Sequence, residues 1–183
     1  MSQEDKQTVF DLFIIGGGIN GAGIARDASG RGLSVALCDK GDLGGATSSA
    51  SSQLIHGGLR YLEHGQYRLV RESLQERETL LAIAPHWIHP LRFVMPYHPD
   101  MRPLWQLRLG LCLYDSLARR RRLSASRIIP LAHSSYGQPL KTAFSRACLF
   151  SDCWVDDARL VIGNAKDARA RGAHILTRTH CIN

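Results

Sequence analysis

The first forty residues contain a strand, turn, helix and strand pattern that constrains the fold more than any other feature of the chain. Residues 11–15 (DLFII) form a short apolar run typical of a buried parallel strand. Three glycines then follow the spacing G-x-G-x-x-G, at Gly16, Gly18 and Gly21. Residues 22–28 are rich in alanine and glycine, as in a helix that packs closely on a sheet, and residues 33–38 (LSVALC) indicate a second buried strand that ends at Asp39. This order of elements predicts an α/β fold with parallel strands.

The residue types in this pattern suit the binding of a dinucleotide. Gly16 permits a tight turn, and Gly18 has no Cβ, so a pyrophosphate can approach the amides at the positive end of the helix. Asp39 lies 21 positions beyond Gly18, where an ionised carboxylate can accept hydrogen bonds from a ribose diol. The motif predicts a Rossmann-like domain without separating NAD from FAD. Residues 40–65 then form a long Gly/Ser-rich loop instead of another regular helix and strand, which favours FAD over a nicotinamide-only domain.

Composition places the chain in a class and locates its charge. The 183 residues are enough for one core, and the formal net charge is +7. Residues 86–151 hold ten basic and two acidic residues, a net charge of +8, so the flanks are near neutral. Five scattered cysteines with no CxxC pair are typical of reduced thiols and indicate no metal site. Because the N-terminus lacks the pattern of a secretory signal and no run of about 20 apolar residues is present, we expect a protein of the cytosol or a membrane face.

The basic region contains a strongly apolar helix. Residues 104–118 place apolar side chains nearly all round a helix, so the helix should be buried in protein or dipped into lipid. Four consecutive arginines, 119–122, follow it, as expected for a segment that rests on an anionic bilayer. A solvated helix end remains an alternative, because cations suit the negative end of the helix dipole. Nucleic acid is disfavoured, since the segment has no reader motif and few aromatics.

Periodicity also predicts further elements and a division of the chain. An apolar stripe predicts a helix over residues 66–84 that serves as scaffold. Asp156 or Asp157 should cap a helix that ends at Gly172, followed by a strand over residues 173–177. We expect a first part of an FAD-binding domain in residues 1–85, a basic inserted region in residues 86–151, and a return to the FAD-binding domain in residues 152–183.

Three segments of the chain resemble one family. They are IIGGGINGAGIARDASGRGLSV, ATSSASSQLIHGGLRYLEHGQYRLVRESLQERE and FSDCWVDDARLVIGNA, and they are similar to the FAD-dependent, quinone-linked glycerol-3-phosphate dehydrogenases. The resemblance implies a fold of the glutathione-reductase/D-amino-acid-oxidase type with an inserted, incomplete substrate- or membrane-facing region. It implies oxidation of sn-glycerol 3-phosphate to dihydroxyacetone phosphate by hydride transfer to FAD, with electrons passed to quinone at the cytoplasmic face of the membrane, and a possible homodimer. Members are more than twice as long, so we expect this chain to be an N-terminal portion.

The same resemblance implies a set of site residues. The candidate FAD-binding residues are Gly16, Gly18, Asn20, Gly21, Asp39, Lys40, Thr47, Ser48, Ser49, Ser52, Gly57 and Gly58. The hydroxyls of the Ser-rich loop suit phosphate oxygens because they donate without adding charge. The chain departs from the family pattern at Gln53, where many members have lysine, and at Asp39, where glutamate is more frequent.

Two further residues are candidates for catalysis. His56 is the candidate base for the substrate hydroxyl, and Arg60 is the candidate ligand of the substrate phosphate. Alternatively, His56 bonds the flavin edge or a backbone carbonyl and Arg60 pairs with Glu63. Another polyol or amine oxidase of the same fold, or a non-catalytic nucleotide-binding remnant, remains open as a function.

Overall fold

A computed structural model of the chain describes residues 9–119 and 121–182. Arg120, one of the four consecutive arginines, therefore lies outside the described residues. The strands are β1 (Leu12–Ile15), β2 (Val35–Cys38), β3 (Leu54–Ile55), β4 (Ile88–Pro96), β5 (Arg127–Pro130), β6 (Arg146–Val155) and β7 (His174–Leu176). The α-helices are α1 (Ile19–Gly30), α2 (Tyr67–Ile83), α3 (Leu104–Ser116) and α4 (Asp157–Ala170), and two 3-10 helices cover Thr47–Ser49 and Leu59–His64. The chain forms two units, one of residues 9–53 with 156–182 and one of Leu54–Val155.

The first unit is a parallel α/β sheet. Strand β2 is fully buried and pairs in parallel with β1 on one side and with β7 on the other. Small residues let the helices lie close on this sheet: Ala25 of α1 and Ala168 of α4 share a core with Leu37 of β2. Helix α4 begins as predicted, because the Asp156 carboxylate accepts from the Arg159 N–H at 3.0 Å. The predicted Rossmann-like arrangement is thus confirmed for this unit.

The second unit is built on an antiparallel sheet that the sequence did not reveal. Strand β6 pairs along its length with β4, and its other edge pairs with β3 and β5. Helix α2 packs on both β4 and β6. The units therefore divide after Gln53 and after Val155, whereas we expected boundaries after residues 85 and 151. The physical reason is long-range pairing: β3 joins a strand that lies about a hundred residues later, and this brings residues 54–85 into the second unit.

The two predicted helices of this unit form, with one unexpected feature in each. Helix α2 buries Val70, Leu74 and Leu81 along the predicted stripe, but it also buries Arg77 and Glu78. Helix α3 buries Leu111 and Tyr114 against the unit. Its opposite side exposes large apolar residues, with Trp105 66% and Leu109 63% exposed. Among the described residues, no helix combines the length and the apolar character needed to cross a bilayer.

Candidate cofactor and substrate sites

A cavity of about 880 Å³ opens at the carboxyl ends of the parallel strands in the first unit. The last residues of β1 and β2, Ile15 and Cys38, line its floor. In open parallel sheets, ligands bind at this edge, and the volume lies in the range of cofactor pockets. Eight predicted cofactor residues line the cavity, namely Gly16, Gly18, Asn20, Gly21, Asp39, Lys40, Thr47 and Ser48.

The glycine turn has the tight geometry that its spacing predicts. Gly16 adopts a φ of 110°, a conformation that favours glycine, and its N–H donates to the Cys38 carbonyl at 2.8 Å. A Cβ on Gly21 would overlap the Gly16 carbonyl oxygen, at far less than the sum of their van der Waals radii, so α1 can approach the turn this closely only with glycine there. Gly18 directly precedes α1 as its N-cap. The first-turn amides of a helix in this position favour an anion such as a pyrophosphate.

Asp39 contacts the backbone of the glycine turn. Its Oδ2 accepts from the Gly17 N–H at 2.6 Å, and its Oδ1 accepts from the Gly41 N–H at 2.7 Å. These two bonds, the one from Gly17 first, hold the pKa of the Asp39 carboxyl below its usual value. The carboxylate thus ties β2 to the turn after β1, a role not foreseen from the sequence. Each carboxylate oxygen keeps a second lone pair, so hydrogen bonding to a ribose stays a prediction.

The Ser-rich loop is only partly directed at the cavity. Ser48 lines the cavity and its Oγ accepts from the Ile19 N–H at 3.1 Å, at the start of α1. Ser49 instead donates from Oγ to the Gly44 carbonyl at 2.6 Å, and Ser52 is exposed; neither is among the lining residues of this cavity. The contact of these two residues with FAD stays a prediction. The Ser49 bond instead closes the turn of its own loop.

The end of the described chain adds lining residues that the sequence analysis missed. Segment Thr179, His180 and Cys181 borders the cavity. It is held there because the Thr179 N–H donates to the Asp39 carbonyl at 2.8 Å and the Arg178 N–H donates to the Gly41 carbonyl at 2.8 Å. One signal could have revealed it: residues that follow a parallel strand next to β2 must leave the sheet at the same edge as Asp39.

The other predicted site residues lie in the second unit, in a turn that we call the HGG turn (residues 56–58). Gly57 and Gly58 are buried, whereas His56 and Arg60 are exposed. A Cβ on Gly57 would lie 2.6 Å from Leu74 Cγ and 2.8 Å from the Tyr114 hydroxyl oxygen. Gly58 adopts a left-handed φ of 70°. Both glycines are thus required by the turn itself, and their contact with FAD stays a prediction.

A hydrogen bond within the HGG turn determines which nitrogen of the neutral His56 ring carries the proton. The Gly58 N–H donates to His56 Nδ1 at 2.9 Å. In the neutral imidazole one nitrogen is a donor and the other an acceptor, so this bond places the proton on Nε2. Arg102, rather than Arg60, pairs with Glu63, at 3.1 Å. Arg60 itself is exposed.

Comparison with known proteins identifies the family. Residues 11–183 match the sequence profile described as FAD dependent oxidoreductase. The chain belongs to this family. The cofactor predicted from the sequence, FAD, and the predicted fold are confirmed at this level.

Individual members of the family are similar over nearly the whole chain. A glycerol-3-phosphate dehydrogenase of Pseudomonas aeruginosa is 59% identical over 175 residues, which are 96% of this chain and 34% of the relative. A D-erythritol 1-phosphate dehydrogenase of Brucella abortus is 56% identical over 173 residues, 94% of this chain and 34% of the relative. The structure of the Bacillus halodurans glycerol-3-phosphate dehydrogenase complexed with FAD matches with a TM-score of 0.67 and 26% identity, over 97% of this chain and 28% of that one. The chain spans about one third of the length of these curated relatives.

The residues of the first-unit cavity fit the cofactor of the family. The Gly18 position and the start of α1 would hold the pyrophosphate, because glycine leaves the first-turn amides of the helix open to an anion. A Cβ built on Gly18 would also lie close to the Ser48 hydroxyl oxygen, at 3.3 Å. The hydroxyls of Thr47 and Ser48 can add neutral hydrogen bonds to the phosphates. Asp39 supplies acceptors at the end of β2, where a ribose is expected.

Proposed function

We propose that the protein oxidises sn-glycerol 3-phosphate to dihydroxyacetone phosphate, with FAD as the hydride acceptor and quinone as the final electron acceptor. One observation carries this proposal: the 59% identity to a glycerol-3-phosphate dehydrogenase extends over 96% of the chain, a stretch that includes both the glycine-turn cavity and the HGG turn. FAD, when bound, supplies the two-electron acceptor for the hydride that leaves carbon 2 of the alcohol. The chain's own residues must then bind the phosphate and remove the hydroxyl proton.

A comparable sequence identity supports a second phosphorylated polyol as the substrate. The D-erythritol 1-phosphate dehydrogenase is 56% identical over 94% of the chain, only three percentage points below the glycerol-3-phosphate relative. The two substrates share a phosphate and a secondary alcohol, so either one needs a residue that binds the phosphate and a residue that removes the hydroxyl proton. The longer polyol is therefore the alternative substrate of the same reaction class.

Anaerobic addition of each substrate to the FAD-loaded full-length protein tests the proposal. Glycerol 3-phosphate should bleach the flavin absorbance band within seconds, and unphosphorylated glycerol is the matched control. Faster bleaching by D-erythritol 1-phosphate would identify that polyol as the substrate of the same class of reaction. Flavin bands that neither substrate bleaches would contradict the proposal and favour a non-catalytic nucleotide-binding protein.

Arg60 and His56 are assigned the two roles that this oxidation needs. Arg60 is exposed, and its planar guanidinium can donate two parallel hydrogen bonds to a phosphate. His56 is exposed too, and a neutral imidazole is suited to accept a hydroxyl proton near pH 7. Because Nδ1 accepts from the Gly58 N–H, proton uptake at that nitrogen requires this bond to break when substrate binds. If the bond persists, His56 acts instead as a hydrogen-bond donor through Nε2.

Two substitutions at His56 separate these roles. In the full-length protein, His56→Ala should lower the rate of flavin reduction by about 10²–10⁴-fold, the usual contribution of general acid–base catalysis, with FAD still bound. His56→Gln retains an N–H donor and cannot accept the proton. Stopped-flow absorbance under anaerobic conditions measures both rates. Equal losses in the two variants support the base, and a glutamine variant close to wild type supports the donor. An unchanged rate in the alanine variant would remove His56 from the site.

We also propose that the protein is peripheral on the cytoplasmic face of the membrane, where a quinone is dissolved. Trp105, Leu109 and Leu113 recur every four residues and lie along the exposed side of α3. Arg108 on the same helix is exposed, as are Arg119, Arg121 and Arg122 beyond its end. An apolar helix face next to a cationic cluster is typical of proteins that rest on an anionic bilayer.

Removal of the cluster should weaken membrane binding. Each basic residue near an anionic surface is worth about 1 kcal/mol, so replacing Arg119, Arg121 and Arg122 by glutamine should raise the dissociation constant for anionic vesicles by about 100-fold. Flotation of the full-length protein with vesicles containing phosphatidylglycerol measures the effect. A variant with glutamine at Arg71, Lys166 and Arg169, all exposed elsewhere, has the same net charge and should float like wild type. Equal loss in both variants would contradict a local contact.

A further inference from the structure

A chain of buried hydrogen bonds holds the backbone of the HGG turn. The Gly57 N–H donates to the Tyr114 hydroxyl oxygen at 2.8 Å, and the same hydroxyl donates to Asp152 Oδ1 at 2.8 Å. Asp152 Oδ1 also accepts from Arg77 Nη1, and a second bond from Arg77 Nη1 reaches the Ser151 carbonyl at 3.2 Å. Tyr114, Asp152 and Arg77 are 2%, 4% and 1% exposed. The network thus links α2, α3 and β6 to the residue next to His56.

The direction of every bond in this network is determined by its chemistry. An ionised carboxylate only accepts, so Asp152, paired with Arg77, takes the single proton of the Tyr114 hydroxyl. The lone pairs of that hydroxyl are then left to accept the Gly57 N–H. Burial, followed by the charge of Asp152, raises the pKa of Tyr114 far above its usual value, so the phenol stays protonated. Burial also raises the pKa of Asp152, against the lowering effects of Tyr114 and Arg77.

We propose that Tyr114 and Asp152 are positioning residues for His56. They hold the Gly57 amide from the buried side, while the Gly58 N–H holds the imidazole at Nδ1 from within the turn. This inference rests on the proposed function in assigning a chemical role to His56. The steric fit of the turn adds to the hydrogen bonds, because Gly57 leaves no room for a Cβ beside Leu74 and the Tyr114 hydroxyl. A shift of the hydroxyl therefore moves Gly57, and with it the ring of His56.

The first experiment removes one oxygen atom from the network. In the full-length, FAD-loaded protein, Tyr114→Phe should lower the rate of flavin reduction by glycerol 3-phosphate by about 10–100-fold, because a displacement near 1 Å can cost about 100-fold in rate. The KM and the FAD content per chain should stay within about twofold of wild type, since the variant displaces a reacting group. Tyr136→Phe, at a partly exposed tyrosine of the same unit, is the matched control and should behave as wild type.

A double variant decides whether Tyr114 acts through His56. If it does, Tyr114→Phe should change the residual rate of the His56→Ala protein, which lacks the imidazole in either role, by less than about twofold, because the two losses then share one cause. A general structural defect would instead lower the rate by the same factor in both backgrounds, and that result would overturn the proposal. If Tyr114→Phe fails to fold, 4-fluorophenylalanine at position 114 takes its place in the same comparison. The fluorine fills most of the space of the hydroxyl but cannot donate to Asp152, and the Arg77–Asp152 pair stays intact.

A spectroscopic measurement keeps the inference separate from the proposed reaction. In protein labelled with ¹⁵N-histidine, the His56 signals, assigned by their loss in His56→Gln, should show the neutral ring protonated at Nε2. Tyr114→Phe should shift them toward a mixture of tautomers, while Tyr136→Phe leaves them unchanged. This readout needs no turnover, so it tests the network even if glycerol 3-phosphate does not bleach the flavin. Unchanged His56 signals together with an unchanged reduction rate would overturn the inference.

Discussion

Replacement of Gly21 by alanine is expected to weaken FAD binding by the full-length protein by up to about 100-fold. The added Cβ would overlap the Gly16 carbonyl oxygen, which belongs to the backbone and has no rotamer with which to move aside. Either α1 must shift away from the turn or the turn must open, and both changes displace the first-turn amides from the cavity. Overpacking costs about 1–3 kcal/mol, and the upper value corresponds to about 100-fold in Kd.

The neighbouring Gly23 is the matched control for this substitution. It lies on the same helix, and a Cβ built there meets nothing within 4 Å. Gly23→Ala should therefore retain FAD and stabilise the protein slightly, because alanine loses less backbone entropy than glycine in a helix. The flavin absorbance of the purified proteins and their thermal unfolding with and without added FAD measure both effects. A Gly21→Ala protein that purifies with one FAD per chain would contradict the steric argument.

Replacement of Arg77 by leucine is expected to destabilise the second unit severely. Arg77 is 1% exposed and pairs with the buried Asp152, so its removal leaves a carboxylate without its cationic partner in the protein interior. Breaking one side of a buried ion pair typically costs about 3–5 kcal/mol. The loss should appear as a lower midpoint of denaturant-induced unfolding, followed by circular dichroism of the full-length protein.

An exposed ion pair on the same helix provides the control. Arg68 bonds Glu72 at 2.8 Å, but its side chain is 92% exposed. Exposed pairs one helical turn apart contribute about 0.3–0.5 kcal/mol, so Arg68→Leu should change stability by less than about 0.5 kcal/mol. Similar destabilisation by the two substitutions would show that burial of the Arg77 pair is not the cause. A stable Arg77→Leu protein would mean that Asp152 is accommodated without a partner.

The helices and the parallel strands follow from local sequence patterns, whereas the antiparallel sheet does not. Short continuous apolar runs predicted the first two strands, and the stripe of Val70, Leu74 and Leu81 predicted α2. Strand β6 was not foreseen because it lies between neighbours on both edges and is buried along most of its length, so its residues lack the polar alternation that marks a half-exposed strand. Its partners also lie far away in the chain.

Site residues were predictable where the requirement is local. Gly21 lies against the Gly16 carbonyl oxygen five positions earlier, and the glycine spacing of the motif follows directly from this close approach. Arg77 was interpreted only as part of a scaffold helix, since its partner Asp152 lies 75 positions later. Ser49 was assigned to the cofactor by resemblance to the family, and its bond to the Gly44 carbonyl is a detail of loop conformation that the resemblance does not supply.

The sequence by itself determined the dinucleotide-binding turn, its cofactor class and the family, because these depend on short motifs in which close backbone contacts require glycine at fixed positions. Only the tertiary structure decided what lies behind the HGG turn. Gly57 meets Tyr114 across 57 positions, and Tyr114 meets Asp152 across 38, through packing of α2 and α3 on β6. No sequence pattern within a single helix or strand predicts contacts between residues so far apart in the chain. The network arises because three buried polar side chains must find hydrogen-bond partners in the protein interior, and they find them in one another, in the Gly57 N–H and in the Ser151 carbonyl.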